Sequence, residues 1–257
     1  TKPSPSYSVG GGRIIENSHK IQWKGSFVSI PFMLEQSINT AVAQIGMKMG
    51  KNIFYKKIRD FGFGDPIGVG FYGESRGIVK DPAYWYEPDI AMMTFGQSIA
   101  ITPLQLCAAY ASFANDGMLI IPQHIKRIVN QDQSFIKTSR REEVKKSISK
   151  KAAEDTMKVL ESVVIHGSGK KAKMLDYRVG GKTGTAQKAI EGGRGYMKGH
   201  YIASFIGIAP LKDPKIVALV LVDDPKGVIW GETVCGPTFK VVVENALRYL
   251  NVKPDVL

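Results

Sequence analysis

Three successive segments in the last third of the chain have the composition of β-strands, and a helical pattern follows them. Residues 177–187, 201–209 and 215–222 are rich in β-branched and aromatic residues. Residues 211–214, with the turn sequence Leu-Lys-Asp-Pro, separate the last two, so we expect adjacent antiparallel strands. Apolar residues at helical spacing in 239–247 predict a long helix across this sheet. The chain should therefore be α+β, an antiparallel β-sheet with helices on both faces.

Two more helices are predicted upstream of these strands. Thr102-Pro103-Leu104-Gln105 combines an N-cap hydroxyl, a proline at the first helical position and the glutamine of a capping box. This helix should end near Asn115-Asp116-Gly117, where glycine can adopt the left-handed conformation. Residues 118–129 have a strand pattern. Apolar residues of 152–165 lie on one helical stripe, which predicts a helix that ends before Gly167.

The first part of the chain mixes irregular and helical sequence. Residues 1–12 contain two prolines and three consecutive glycines, which predicts a loop. Residues 32–34 and 41–47 carry apolar residues at helical spacing on either side of Ser37-Ile38-Asn39-Thr40. Ser37 and Asn39 should therefore lie at a junction between two helices. Residues 61–77 contain six glycines and one proline, which predicts a looped excursion.

The composition limits the classes of partner. The chain has 35 Lys plus Arg against 23 Asp plus Glu, a net charge of +12, and 44% apolar residues, enough for a continuous core. The charge would favour anionic partners such as nucleic acid, phospholipid headgroups or cell-wall polymers. The most basic stretch, residues 137–151, mixes both signs of charge and contains no aromatic residue for base stacking. We therefore expect a solvated surface there and no nucleic-acid partner.

Nothing in the sequence predicts a metal or a cofactor. Cys107 and Cys235 fit no metal-binding spacing and lie in apolar sequence, so we expect buried free thiols. The four histidines have no mutual spacing that suits a metal site or a catalytic triad. The longest apolar run, residues 216–222, is too short to span a bilayer, and no signal-peptide pattern opens the chain.

Two polar motifs carry the residue types that an acyl transfer to serine requires. Lys182-Thr183-Gly184-Thr185 lies on a predicted strand, about 145 residues after Ser37-Ile38-Asn39. Such a reaction needs a nucleophile, a base, donors for the oxyanion and groups that hold the substrate. Lys182 would supply a cation, Gly184 room for a substrate backbone, and Thr185 a hydroxyl and a backbone N–H. Ser37 would relay a proton and Asn39 would bind a substrate amide.

Other interpretations of these motifs fit the sequence less well. Gly181-Lys182-Thr183 matches the end of a phosphate-binding loop, but that loop needs a glycine where the chain has Asp176 and precedes a helix rather than a strand. Three Ser-x-x-Lys sequences begin at Ser134, Ser147 and Ser168. All follow the Ser-x-Asn motif, and none opens an apolar helix that could bury its lysine and lower the lysine pKa. We assign none of them as the nucleophile.

With these motifs the sequence resembles the transpeptidase domain of class B penicillin-binding proteins. The resemblance extends from about Gly11 to Pro254. It includes the run 94–106 and the glycine-rich residues 61–64. Residues 203–210, with Asp223-Asp224-Pro225-Lys226, are more similar to the septal branch, which serves division or sporulation, than to the elongation branch.

The resemblance implies a serine transpeptidase or β-lactamase-like fold and a role for each motif residue. Ser37 would exchange protons with the lysine of a Ser-x-x-Lys motif, and Asn39 would hold the peptide amide. Lys182 would maintain the electrostatics of the cleft. Thr183 and Thr185 would bond the substrate carboxylate, and the Thr185 backbone N–H would form half of the oxyanion hole.

The implied activity is that of a D,D-transpeptidase, which acylates a serine with a D-Ala-D-Ala stem peptide and passes the acyl group to an amine. Stem peptides, β-lactams and membrane proteins of the division machinery are the implied partners, without a cofactor. Residues 1–257 would be the C-terminal portion of one transpeptidase domain. The nucleophile, a further domain and a membrane anchor would precede Thr1. The anchor would hold the enzyme on the periplasmic side of the inner membrane. A hydrolase, either a carboxypeptidase or a β-lactamase, and a non-catalytic penicillin-recognition protein remain alternatives.

Overall fold

A computed structural model describes residues 4–23, 25–132, 134–138, 140, 142–193 and 195–256. Its helices are α1 (Ile30–Glu35), α2 (Asn39–Met49), α3 (Lys51–Asp60), α4 (Glu87–Met93), α5 (Pro103–Phe113), α6 (Lys150–His166), α7 (Gly231–Val234) and α8 (Gly236–Tyr249). Its strands are β1 (Ser6–Val9), β2 (Arg13–Glu16), β3 (Met118–Ile121), β4 (Arg127–Val129), β5 (Phe135–Thr138), β6 (Glu142–Lys146), β7 (Gly180–Ala189), β8 (Tyr196–Ala209) and β9 (Ile216–Asp223).

The last three strands form the central sheet, in the order β7-β8-β9, and every neighbouring pair is antiparallel. Thr183 pairs with Phe205 across the first ladder, and Ala209 pairs with Ile216 across the second. The prediction of adjacent antiparallel strands is confirmed. Because β7 has a neighbour on one side only among the described strands, part of its backbone hydrogen-bonding capacity faces away from the sheet.

Both faces of this sheet are covered by helices, as the α+β prediction requires. Successive side chains of β8 point to opposite faces. Ile206 and Ile208 are buried on one face, where a Cβ on Gly180, the cross-strand partner of Ile208, would lie 3.1 Å from Leu160 Cβ of α6. The other face packs against the buried stripe of α8. This cluster contains Ala203, Phe205, Ala209, Phe239, Val243 and Leu247.

The buried stripe fixes α8 on the sheet. The rings of Phe205 and Phe239 meet edge to face with 4.8 Å between their centroids, and both side chains are fully buried. Burying a side chain of this size contributes about 1.5–3 kcal/mol. Val242 lies on the predicted helix but is half exposed, so the stripe that packs is narrower than the apolar pattern of the sequence.

The capping box before α5 is present as the sequence predicts. Thr102 Oγ1 accepts from the Gln105 N–H at 3.1 Å, and Gln105 Oε1 accepts from the Thr102 N–H at 2.8 Å. The fully buried Gln105 amide also donates to the carbonyl oxygens of Asp65 and Arg76. These bonds tie the irregular, glycine-rich segment 61–77 to the helix.

Two parts of the sequence-based assignment are wrong. Residues 6–16 form the hairpin β1–β2 rather than a loop, because the glycine run supplies its turn, with φ of +69° at Gly11 and +73° at Gly12. The expected strand over 118–129 is two strands, β3 and β4, which pair with β6 and β5 respectively. Pro122 follows β3 directly and cannot donate to a strand ladder.

The basic stretch contributes to β5 and β6, and β6 is largely exposed, in agreement with a solvated surface. Ser139 and Arg141 of this stretch lie outside the described residues. Cys235 is buried and Cys107 is half-buried, both as free thiols, and burial raises the pKa of each. Among the helices described above, none has the length and hydropathy needed to cross a membrane.

Candidate active site

A cleft between β7 and the α1–α2 junction brings the two sequence motifs together. Its lining includes all six residues that the sequence singles out. These are Ser37, Asn39, Lys182, Thr183, Gly184 and Thr185. Because β7 is an edge strand, its outer row of backbone groups is turned toward this space. The tertiary fold thus places the Ser-x-Asn motif opposite the Lys-Thr-Gly motif.

Lys182 makes the central contact of the cleft. Its Nζ donates to Ser37 Oγ at 3.0 Å and to the Thr183 carbonyl oxygen at 3.2 Å. Burial lowers the pKa of Lys182 to about 8, because removing an ammonium group from water disfavours its charged form. At pH 7 the side chain is still mostly protonated. The lysine is therefore a cation turned into the cleft.

Ser37 occupies an unusual backbone conformation, with φ of +51°. Such a conformation costs of order 1–3 kcal/mol for a residue other than glycine and persists only where the surroundings enforce it. Here the Ser37 N–H donates to the Leu34 carbonyl, and the next residue, Ile38, is fully buried and donates to the Met33 carbonyl at 2.9 Å. The strained turn holds the Ser37 hydroxyl against Lys182.

Asn39 begins α2, as expected for a residue at a helix junction. Its side-chain Nδ2 donates to the carbonyl oxygen of Glu16, the last residue of β2, at 3.2 Å. Asn17 Oδ1 accepts from the N–H of Thr40, which is fully buried. The hairpin that the sequence did not reveal therefore orients the Asn39 amide, and Asn17, which directly follows it, bonds the first turn of the helix.

Each of the two threonine hydroxyls of β7 contacts a residue that lies outside both motifs. Thr183 Oγ1 lies 3.1 Å from Ser168 Oγ, and Thr185 Oγ1 accepts from the Gly231 N–H at 3.3 Å. A Cβ on Gly231 would lie 2.6 Å from the Gly184 carbonyl oxygen. Only glycine therefore lets α7 approach β7 this closely. No local pattern in the sequence marks Gly231.

Gly184 is also constrained by its own sheet. A Cβ at this position would lie 2.5 Å from Oγ of Ser204, its cross-strand partner on β8. Glycine at this position thus satisfies a packing requirement inside the protein as well as the expected need for space beside a substrate backbone.

Two of the three Ser-x-x-Lys sequences have their serine outside the cleft, and the third has its lysine bound elsewhere. Ser134 donates to Asp132, and the buried Ser147 donates to the Asp60 carbonyl, and neither lines the cleft. Ser168 does line it, but the lysine of its motif, Lys171, donates to a threonine of α7 at 3.1 Å. Across the described ranges, no group of three or more His, Cys, Asp or Glu side chains could hold a metal ion.

Comparison with known proteins agrees with this geometry. The family model of the penicillin binding protein transpeptidase domain matches residues 1–244. Stage V sporulation protein D of Bacillus subtilis is 37% identical over 224 residues, covering 86% of this chain and 34% of that protein. Peptidoglycan D,D-transpeptidase FtsI of Escherichia coli is 28% identical over 245 residues, covering 94% of this chain and 40% of that protein. The chain thus spans well under half the length of these relatives.

Solved structures share the fold over the whole chain. Penicillin binding protein 3 from Mycobacterium tuberculosis, complexed with aztreonam, superposes with a TM-score of 0.88 at 26% identity, covering 100% of this chain and 58% of that chain. The TP domain of Burkholderia pseudomallei penicillin-binding protein 3 gives a TM-score of 0.83 at 31% identity, covering 98% and 72%. The sporulation and FtsI relatives are consistent with the septal branch. This chain belongs to the transpeptidase domain family of the class B penicillin-binding proteins.

Proposed function

We propose that the protein containing this chain is a D,D-transpeptidase of peptidoglycan synthesis. The observation that carries the proposal is the 3.0 Å contact between Lys182 Nζ and Ser37 Oγ, in a cleft that also holds the hydroxyls of Thr183 and Thr185. A half-buried cation beside two hydroxyls suits a substrate with a free carboxylate, such as the D-Ala-D-Ala end of a stem peptide. Relatives that bear the name peptidoglycan D,D-transpeptidase support the same reaction.

Binding is the role that we assign to β7. The hydroxyl groups of Thr183 and Thr185 donate hydrogen bonds to the substrate carboxylate, and Lys182 provides a positive charge that balances the carboxylate charge. A hydrogen bond to a charged group is worth about 1.5–3 kcal/mol. The backbone N–H of Thr185 supplies half of the oxyanion hole, and the Asn39 amide holds the peptide amide of the donor.

Proton transfer is the role that we assign to Ser37. Its oxygen accepts from Lys182, so its own hydroxyl proton remains free to be passed on. We propose that a serine and a lysine of a Ser-x-x-Lys motif, in a segment of the longer protein before Thr1, complete the site. The serine passes its proton to that lysine as its oxygen attacks the penultimate carbonyl. The C–N bond then breaks, and the departing D-alanine amine takes up this proton through Ser37.

The second half of the reaction distinguishes the candidate enzymes. An amine of a neighbouring stem peptide attacks the acyl-serine ester, the serine oxygen leaves and recovers a proton, and a cross-link results. We place the enzyme on the periplasmic side of the inner membrane, anchored by an upstream helix and acting in septation with membrane proteins of the division machinery. The similarity to a sporulation protein and to FtsI supports a role in septation.

The test uses the longer protein that contains this chain. We expect a fluorescent penicillin to label it covalently and in a one-to-one ratio, and a D-Ala-D-Ala peptide to yield a cross-linked product when an amine acceptor is present. A product formed only with water would identify a carboxypeptidase. Rapid turnover of the penicillin would identify a β-lactamase, and absence of labelling would favour a non-catalytic protein.

A further inference from the structure

Ser168 lies in the cleft beside Thr183, although neither catalytic motif includes it. Its Oγ is 3.1 Å from Thr183 Oγ1, and it lines two adjoining recesses of the cleft. The lysine of its own Ser-x-x-Lys sequence, Lys171, is held by Thr233 Oγ1 at 3.1 Å. The Ser168 hydroxyl therefore has its side-chain contact with the Lys-Thr-Gly strand rather than with a base of its own motif.

The turn that carries Ser168 is fixed against the end of α1. The Ser168 N–H donates to the Glu35 carbonyl at 3.0 Å. A Cβ on Gly167 would lie 2.6 Å from Glu35 Cα, a separation that only glycine allows. Ser162 of α6 also donates to the Glu35 carboxylate. Since Ser37 follows closely after α1, the Ser168 hydroxyl is held at a fixed position relative to both motifs.

The number of hydroxyl protons limits how the hydroxyls of Ser168 and Thr183 can pair. Each hydroxyl has one proton to donate and can accept two, and a contact between two hydroxyls uses one of their two protons. Thr183 Oγ1 also lies 3.4 Å from Lys182 Nζ. When the Thr183 oxygen accepts from both Lys182 and Ser168, its own proton is left to point into the cleft, where an anion can accept it.

We propose that Ser168 is a positioning residue for the substrate carboxylate. It donates to Thr183 Oγ1 and thereby directs the Thr183 proton toward the bound carboxylate. The inference rests on the proposed function, which places that carboxylate at Thr183 and Thr185. It adds a third hydroxyl, from the α6–β7 connection, to the two that the Lys-Thr-Gly-Thr sequence supplies.

The test compares acylation of the longer protein by benzylpenicillin and by its uncharged methyl ester. Ser168→Ala should lower the second-order rate constant for benzylpenicillin about three- to tenfold, mainly through weaker binding, and leave that for the ester nearly unchanged. Ser168→Thr keeps the hydroxyl and should restore most of the rate. Because both residues act on one hydrogen bond, adding Ser168→Ala to Thr183→Val should produce little further loss. Thr156→Ala removes a hydroxyl of the preceding helix, α6, that donates to the Ala152 carbonyl outside the cleft, and it should leave both rates at the parent value.

Several results would overturn this inference. An equal loss for the acid and the ester would show a purely structural role, and fully multiplicative losses in the double variant would show that Ser168 acts independently of Thr183. Complete loss of labelling in folded Ser168→Ala would make Ser168 itself the acylated residue. A parent protein that neither reagent labels would overturn the proposed function as well. A reactive parent with an unaffected Ser168→Ala variant would overturn this inference alone.

Discussion

The backbone N–H of Gly231 donates to Thr185 Oγ1 at 3.3 Å, so the hydroxyl that we assign to substrate binding also docks α7 on the edge strand. The threonine oxygen acts as acceptor in this contact, which leaves its proton available to a carboxylate. The missing side chain of Gly231 is what permits the approach, since a Cβ there would lie 2.3 Å from the Ser204 carbonyl oxygen. Substitutions at Thr185 should therefore be interpreted with both bonds in mind.

Replacing Thr185 with alanine should slow acylation of the longer protein by about tenfold to a hundredfold. The change removes a hydrogen bond to a charged group, worth about 1.5–3 kcal/mol, and keeps the backbone N–H. Second-order rate constants with one penicillin measure the effect. Thr185→Ser, which retains the hydroxyl, is the matched control and should stay close to the parent. A parent-like rate in Thr185→Ala would contradict the assignment.

Lys182→Ala should slow acylation more than Thr185→Ala does. The substitution removes the cation of the cleft together with the donor to Ser37 and Thr183. The fold should persist, because burying the ammonium group is itself unfavourable and its removal leaves no unpaired charge. Acylation rates give the ranking, and circular dichroism checks the fold. A folded Lys182→Ala protein that acylates at the parent rate would refute the Lys-Thr-Gly assignment.

The rate of acylation by an anionic penicillin should fall as the pH rises through about 8. Burial lowers the pKa of Lys182 to about 8, so above this pH the folded protein loses the cation that attracts the carboxylate. Lys182→Arg keeps the charge at all accessible pH values and should lack this falling limb, whatever its absolute rate. If the acylation rate falls with pH in the same way in the parent and in Lys182→Arg, a group other than Lys182 titrates.

The lowered pKa of Lys182 also predicts that the free energy of unfolding changes with pH, in the direction opposite to the acylation rate. Between the folded value of about 8 and the ordinary lysine value of 10.5, the unfolded chain holds a proton that the folded chain has released. The free energy of unfolding should therefore rise with pH across this window, relative to that of Lys182→Met, which has no such proton. Denaturant unfolding at pH 7.5 and pH 10 measures the difference. A difference that is constant with pH would place Lys182 in solvent.

The capping box before α5 should contribute to stability without a direct effect on the cleft. Thr102→Ala should lower the free energy of unfolding by about 1 kcal/mol. Gln105→Ala should cost more, about 2 kcal/mol or above, since the Asp65 and Arg76 carbonyls and the Thr102 N–H would all lose their partner. Acylation should be retained in both variants. Loss of acylation in Thr102→Ala at unchanged denaturation midpoint would show that this threonine is functional.

A polypeptide of only these 257 residues should not form a covalent adduct with a fluorescent penicillin. None of its three Ser-x-x-Lys sequences combines a cleft serine with a lysine directed at it, whereas the longer protein should be labelled. Denaturing gel electrophoresis after incubation separates covalent from reversible binding. Stoichiometric labelling of the 257-residue chain would direct attention to Ser168.

What the sequence by itself determined depends on interactions between neighbours in the chain. The Thr102 and Gln105 bonds span three residues, so the start of α5 follows from four residue types. Strand composition and the 211–214 turn were sufficient for the β8–β9 pair, and apolar spacing was sufficient to place Ser37 between two helices. Each of these signals is local, and each agrees with the final fold.

Tertiary structure alone decided the contacts between distant segments. Ser168 meets Thr183 because the turn after α6 packs on α1, and Gly231 meets Thr185 because α7 docks on an edge strand. The lowered pKa of Lys182 is also a tertiary property, since it arises from removal of the ammonium group from water and not from its neighbours in the Lys-Thr-Gly motif. The sequence predicted which groups the site contains, but only packing set their partners and their charge.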